Sequence, residues 1–137
     1  MDDRIERFMT PNPACIEAGR PIAEAYERML HLGCGQLPVL SQGKLVGLLT
    51  LQGVFRLQSR QGLALTNLPA FDAIDEPFVV VPGTPLSEVL PQLDSGRVDA
   101  AIIVDGGNVL GIFTRTDGLR ARALLAAPTP DLAAPAA

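Results

Sequence analysis

Shifted against itself by 64 positions, this sequence aligns without a gap. Pro13 meets Pro77, Gly19 meets Gly83, Pro21 meets Pro85 and Glu24 meets Glu88, and the register holds through Gly43 with Gly107, Gly47 with Gly111, Thr50 with Thr114 and Arg56 with Arg120. Between those anchors, Leu45-Val46 and Leu48-Leu49 face Val109-Leu110 and Ile112-Phe113. A tandem repeat restricts the fold more than local propensity does, because each copy must be one supersecondary unit whose apolar face is buried by its neighbour. With 137 residues, 47% of them hydrophobic, the chain suits one compact body or two small ones sharing a core.

Each copy reads as strand, helix, strand, turn, strand, helix. In the first, Cys15–Glu17 is a short strand, and Ile22, Ala25, Tyr26, Met29 and Leu30 follow the i, i+3, i+4 spacing of an amphipathic helix. Pro21 suits that helix's first turn and Gly33 its end. Gln36–Leu40 and Lys44–Leu49 are strands joined by Ser-Gln-Gly, and Thr50 to about Ser59 is the second helix. The second copy gives Phe78–Val81, a helix from Pro85 to about Leu93, Ala100–Val104, a turn at Asp105-Gly106-Gly107, Val109–Phe113, and a helix from Thr114. Pro91 lacks the N–H for the carbonyl of Ser87, which predicts a kink or a short helix. The division is 1–60 for the first repeat, 61–73 for a linker, 74–127 for the second repeat, and 128–137 for a Pro- and Ala-rich tail expected to be disordered.

Composition narrows the function. A formal net charge of −4 with no basic cluster argues against a nucleic-acid partner, whose phosphates call for grouped Lys and Arg. The opening MDDRIERF has no apolar run behind it and does not read as a secretory signal. The longest uncharged run, 29–43, is broken by glycines and a proline and falls short of the ~20 apolar residues of a membrane span. These features predict a cytoplasmic protein with no membrane partner. Cys15, Cys34 and the single His31 have no metal-ligand spacing, so no metal is expected, and the two cysteines are expected to pack as small apolar groups. The sequence holds no nucleophile-base set and no GxxxxGK[ST] loop, and the expectation is a protein that is not an enzyme.

Two β-α-β-β-α copies, each with a Gly-apolar-apolar-Thr turn after its last strand, resemble a pair of cystathionine β-synthase (CBS) domains, a Bateman module. The resemblance spans roughly residues 8–125 and rests on MTPNPACIEAGRPIAEAYERML, QLPVLSQGKLVGLLT and their partners 64 residues on. It implies an α/β (α+β) fold with the copies packed about a pseudo-twofold axis, and two clefts able to hold adenosine nucleotides or related ligands. It also implies a homodimer and, as function, regulation through a bound adenosyl compound, with a regulated protein reached in trans. AMP, ADP, ATP and S-adenosylmethionine all fit that expectation. A ligand-free module for interaction or dimerisation is the alternative.

The junction GIFTRTD at 111–117 carries the chemistry. Thr114 falls at an N-cap and Asp117 three residues later, a capping-box spacing worth ~1 kcal/mol for stability alone. A carboxylate at the positive end of a helix can also accept two charge-assisted hydrogen bonds from vicinal hydroxyls. The resemblance assigns Asp117 that ribose role, with Thr114 beside it. By family position Ile74 to Val79, including Phe78 and Val79, would contact a base, with Ala100 and Ala101 as a wall of small residues opposite. Arg97, Arg115 and Arg120 are the phosphate candidates. In the first copy the matching TLQG at 50–53 keeps the cap residue and has Gly53 where the second has Asp117. That difference predicts unequal clefts, with a ligand beside Thr114 and a vacant or weak site beside Thr50, and predicts that Gly53→Asp is tolerated.

Overall fold

A computed structural model describes residues 2–61 and 68–126. The repeat appears as two β-α-β-β-α units. The first contains β2 (Ile16–Glu17), α1 (Ile22–Leu32), β3 (Gln36–Ser41), β4 (Lys44–Thr50) and α2 (Leu51–Gln61); the second contains β5 (Phe78–Val80), α3 (Leu86–Asp94), β6 (Ala100–Asp105), β7 (Asn108–Thr114) and α4 (Arg115–Ala126). A further two-residue strand, β1 (Thr10–Pro11), precedes them. The expected tail at 128–137 and residues 62–67 of the expected linker lie outside the described residues.

Local chemistry sets the element ends. Helix α1 buries Ile22, Ala25 and Met29 on one stripe, and Gly33 adopts φ 67°, the left-handed conformation that ends a helix at least cost without a Cβ. The Gly33 N–H donates to Leu30 O at 3.3 Å and the Cys34 N–H to Met29 O at 3.0 Å, the paired bonds of a Schellman cap. Both hairpins turn through two residues at positive φ, Gln42-Gly43 and Gly106-Gly107, as two-residue hairpin turns require. Helix α3 holds Pro91 within nine residues, two fewer than α1, the shortening that a missing N–H favours.

Strands β2, β3 and β4 form a three-stranded sheet, and β1, β7, β6 and β5 a four-stranded one. The first sheet's core joins Leu37, Val39 and Leu49 to Ile22, Met29 and Val54 of its helices, while the second joins Ala101, Ile103 and Phe113 to Leu86, Val89 and Ala121. A third cluster, Leu48 with Ala100, Ile102 and Ile112, binds sheet to sheet. The pseudo-twofold thus has a dry seam on its axis.

The opening segment of each copy lies on the other copy. Thr10 and Pro11 pair antiparallel with Ile112 and Gly111, and Ile5, fully buried, belongs to the second core. Reciprocally, Ala70 and Ala73 belong to the first core, and Asp75 exchanges backbone hydrogen bonds of 2.9 and 3.0 Å with Leu48. Gly47 and Gly111, which lie within β4 and β7 and not in the turn expected after those strands, permit this crossing. A Cβ on Gly111 would collide with the Met9 side chain, and one on Gly47 would stand 2.7 Å from Ile74 Cβ.

Candidate functional site

Strand β7 passes directly into α4, so Thr114 is the last strand residue and the cap of the helix. The Asp117 N–H donates to Thr114 Oγ1 at 3.4 Å, and the Thr114 N–H donates back to Asp117 Oδ2 at 2.9 Å, which closes a capping box. Asp117 does more than cap. The Thr114 hydroxyl donates to Oδ2 at 3.2 Å, the Thr10 hydroxyl to Oδ1 at 3.1 Å, and Arg120 Nη1 to Oδ1 at 3.2 Å. The carboxylate is 3% exposed, while the guanidinium side chain of Arg120 is 63% exposed. A buried carboxylate fed by four donors ties more of the fold together than a cap does, although two of the donors, Thr10 and Arg120, belong to exposed residues that water can also satisfy.

The junction borders a cavity of about 720 Å³ between the two copies, within the range of small-molecule sites. One wall is Thr114, Arg115, Asp117 and Arg120 from the second copy. The other is Thr10, Ala14, Gly33, Gln36 and Leu37 from the first. Asp99, not singled out in the sequence, also lines it, as does Cys34, expected only as a packing residue. Cys34 and Cys15 are half-buried free thiols, and burial pushes the Cys15 thiol above its ordinary pKa. Among the described residues no group of three or more His, Cys, Asp or Glu is placed to hold a metal ion.

Of the ten residues expected at a ligand, Thr114, Asp117, Arg115 and Arg120 come together around this cavity. Ile74, Phe78, Val79, Ala100, Ala101 and Arg97 do not join them. Ile74 instead packs over Gly47 against the first core. Phe78 and Val79 border a groove between β5 and α3. Ala100 sits in the seam between the sheets, and Ala101 points to the second copy's helices. Arg97 lies exposed after α3. The reason is the crossing of the opening segments. Subtracting 64 turns Ile74, Phe78, Arg97, Ala100 and Ala101 into Thr10, Ala14, Gly33, Gln36 and Leu37, all five of which line the cavity. The wall facing the Thr114 junction thus comes from the opposite repeat, at positions equivalent to five of the six residues expected there.

At the first junction the Gly53 N–H donates to Thr50 Oγ1 at 2.9 Å, so the cap survives without a carboxylate. The space beside Gly53 is already filled. A Cβ there would stand 3.1 Å from the Ala73 carbonyl oxygen and 3.6 Å from Asp75 Oδ2. Asp75 also pairs with Arg56 at 3.3 Å, and Arg56 is the repeat counterpart of Arg120. A carboxylate therefore stands near both junctions, on the helix in one copy and on the crossing segment in the other. A side chain at position 53 would therefore need the Ala73 carbonyl to shift by a few tenths of an ångström and would place a carboxylate near Asp75, which argues against the expectation that Gly53→Asp is tolerated.

The family described as CBS domain matches residues 5–60 and again residues 71–124. Zinc metalloprotease MJ0392 of Methanocaldococcus jannaschii is 32% identical over 118 residues, covering 86% of this chain and 32% of that protein. The chain thus spans about a third of the length of that curated relative. The crystal structure of AcuB from Vibrio cholerae superposes with a TM-score of 0.81 at 20% identity, covering 91% of this chain and 93% of that one. CBSX2 in complex with AMP superposes with a TM-score of 0.77 at 22% identity, covering 89% and 97%.

Proposed function

The chain belongs to the CBS domain family, with two copies in tandem, and from that membership we propose that it is a regulatory module binding one adenine nucleotide or adenosyl compound in the cavity beside Thr114. The observation that carries this reading is the 720 Å³ cavity in which a helix N-terminus, a carboxylate and two arginines converge opposite a wall of Ala14, Gly33 and Leu37. Asp117 would accept the ribose hydroxyls, Arg115 and Arg120 would meet phosphate, and the small and apolar wall would flank the base. The AMP complex of the similarly folded CBSX2 supports the ligand class. AMP, ADP, ATP and S-adenosylmethionine are the compounds to compare. The output is a change in how the module packs against itself in a homodimer or against a regulated protein in trans. No catalytic step is assigned to it, and neither nucleic acid nor membrane is a proposed partner. Among the described residues no helix is long and apolar enough to cross a membrane.

A thermal-shift series tests the reading. Ligand at 100 times its dissociation constant stabilises by about 2.7 kcal/mol, several degrees for a domain of this size. Calorimetry should then give one site per chain. No shift with any of the four compounds would reject the proposal in favour of the ligand-free interaction module. That second reading draws on exposed Leu30, Leu32, Phe55, Leu119 and Leu124 on the helices.

A further inference from the structure

The proposed ribose acceptor is saturated before any ligand arrives. A carboxylate offers about four acceptor positions, and Asp117 has one each filled by the Thr10 hydroxyl, the Arg120 guanidinium, the Thr114 hydroxyl and the Thr114 N–H. These partners differ in how easily they leave. The Thr114 N–H is fixed where the helix begins. The two hydroxyls are neutral donors on rotatable bonds, and exposed Thr10 has water within reach. Arg120 is mostly exposed and can swing out, but doing so breaks an ion pair to a buried charge.

We infer that Arg120 is a latch on Asp117, released only by a ligand that carries an anionic group within the guanidinium's reach, so that the cavity selects a phosphorylated nucleoside over the nucleoside itself. The inference rests on the nucleotide reading above and specifies which member of the ligand class the site takes. A neutral ribose offers the carboxylate two neutral donors in exchange for a charged one and leaves the arginine unpaired. A nucleotide offers the same two donors and gives Arg120 a phosphate, so the guanidinium exchanges one ion pair for another instead of losing it. Arg115 and Asp99, which also line the cavity, are one charge of each sign.

The two effects of Arg120 oppose each other, which makes the test specific. The full chain and its Arg120→Met variant, which keeps the stem and removes the charge, are titrated calorimetrically with AMP and with adenosine. The unmodified protein should bind AMP at least about tenfold more tightly than adenosine, a difference of about 1.4 kcal/mol. In the variant AMP should bind more weakly and adenosine more strongly than in the unmodified protein. Arg120→Gln should repeat the pattern. AMP binding with no gain for adenosine in either variant overturns the latch and leaves the nucleotide reading standing. Absence of binding by adenosine and by all of AMP, ADP, ATP and S-adenosylmethionine to the unmodified protein overturns both.

Discussion

The hydroxyl of Thr10, from the segment that opens the first copy, donates to Oδ1 of Asp117 in the second copy at 3.1 Å. The bond joins residues 107 apart in sequence and crosses from one repeat to the other. Replacing the hydroxyl by a methyl of the same shape isolates it. Thr10→Val should cost about 0.5–1.5 kcal/mol in urea unfolding. Combined with Asp117→Ala it should cost less than the sum of the two, by at least about 0.5 kcal/mol. Strict additivity would mean the contact carries no energy.

Asp117→Ala should itself destabilise by about 1–3 kcal/mol, because it leaves the Thr114 N–H and the Thr10 hydroxyl without their acceptor. The cost expected from a cap alone, ~1 kcal/mol, is the low end of that range. The variant should still melt cooperatively, and its AMP affinity should fall by about tenfold or more, corresponding to the loss of hydrogen bonds worth about 1.5–3 kcal/mol to a charged group. Unchanged affinity would remove Asp117 from the site.

The two strand glycines, Gly47 and Gly111, should respond unequally to alanine. At Gly47 the added carbon meets the branched, inflexible Ile74 at its Cβ, 2.7 Å away, whereas at Gly111 it meets Met9, whose long unbranched chain can move. Gly47→Ala should cost about 1–3 kcal/mol by overpacking, and Gly111→Ala measurably less. Equal denaturation midpoints for the two variants would show that the crossing segments yield alike.

Gly53→Asp should be destabilising, by about 1–3 kcal/mol. The new side chain would press on the Ala73 carbonyl and bring a second negative charge toward Asp75. A wild-type melting curve for this variant would mean the 68–75 segment moves aside freely.

Dimerisation is the remaining expectation. Leu30, Leu32, Phe55, Leu119 and Leu124 stand exposed on the helices in a chain of mean hydropathy +0.25, and a closed twofold contact covers such surface most simply. Light scattering at micromolar concentration should give twice the 14.5 kDa chain mass. Phe55→Glu should shift the population toward that single mass.

Much of this architecture was legible because its signals are local. The stripe of Ile22, Ala25 and Met29, the Gly33 stop and the Thr-x-x-Asp spacing each lie within a few residues, and each appears where the sequence puts it. What escaped is the partner of a very short strand. Two residues of β1 have no periodicity, so nothing local tells Thr10 that it belongs to the sheet of Gly111 and Ile112. The resemblance carried Ile74, Ala100 and Ala101 over as ligand contacts, whereas the residues that line the cavity with Asp117 include their repeat counterparts Thr10, Gln36 and Leu37. Asp75 was invisible for a related reason, since its carboxylate reaches the Thr50 junction only through that crossing.

The traded opening segments also bear on concentration. A lone repeat would carry an arm with no host sheet, and two lone repeats would satisfy each other only by meeting in solution, as in a domain-swapped pair. Joining them in one chain replaces that encounter by an effective local concentration in the millimolar range for a short connection. The two walls around Asp117, one from each repeat, therefore stay assembled at any dilution of the protein, and the cavity's existence is decoupled from how much of the chain a cell makes.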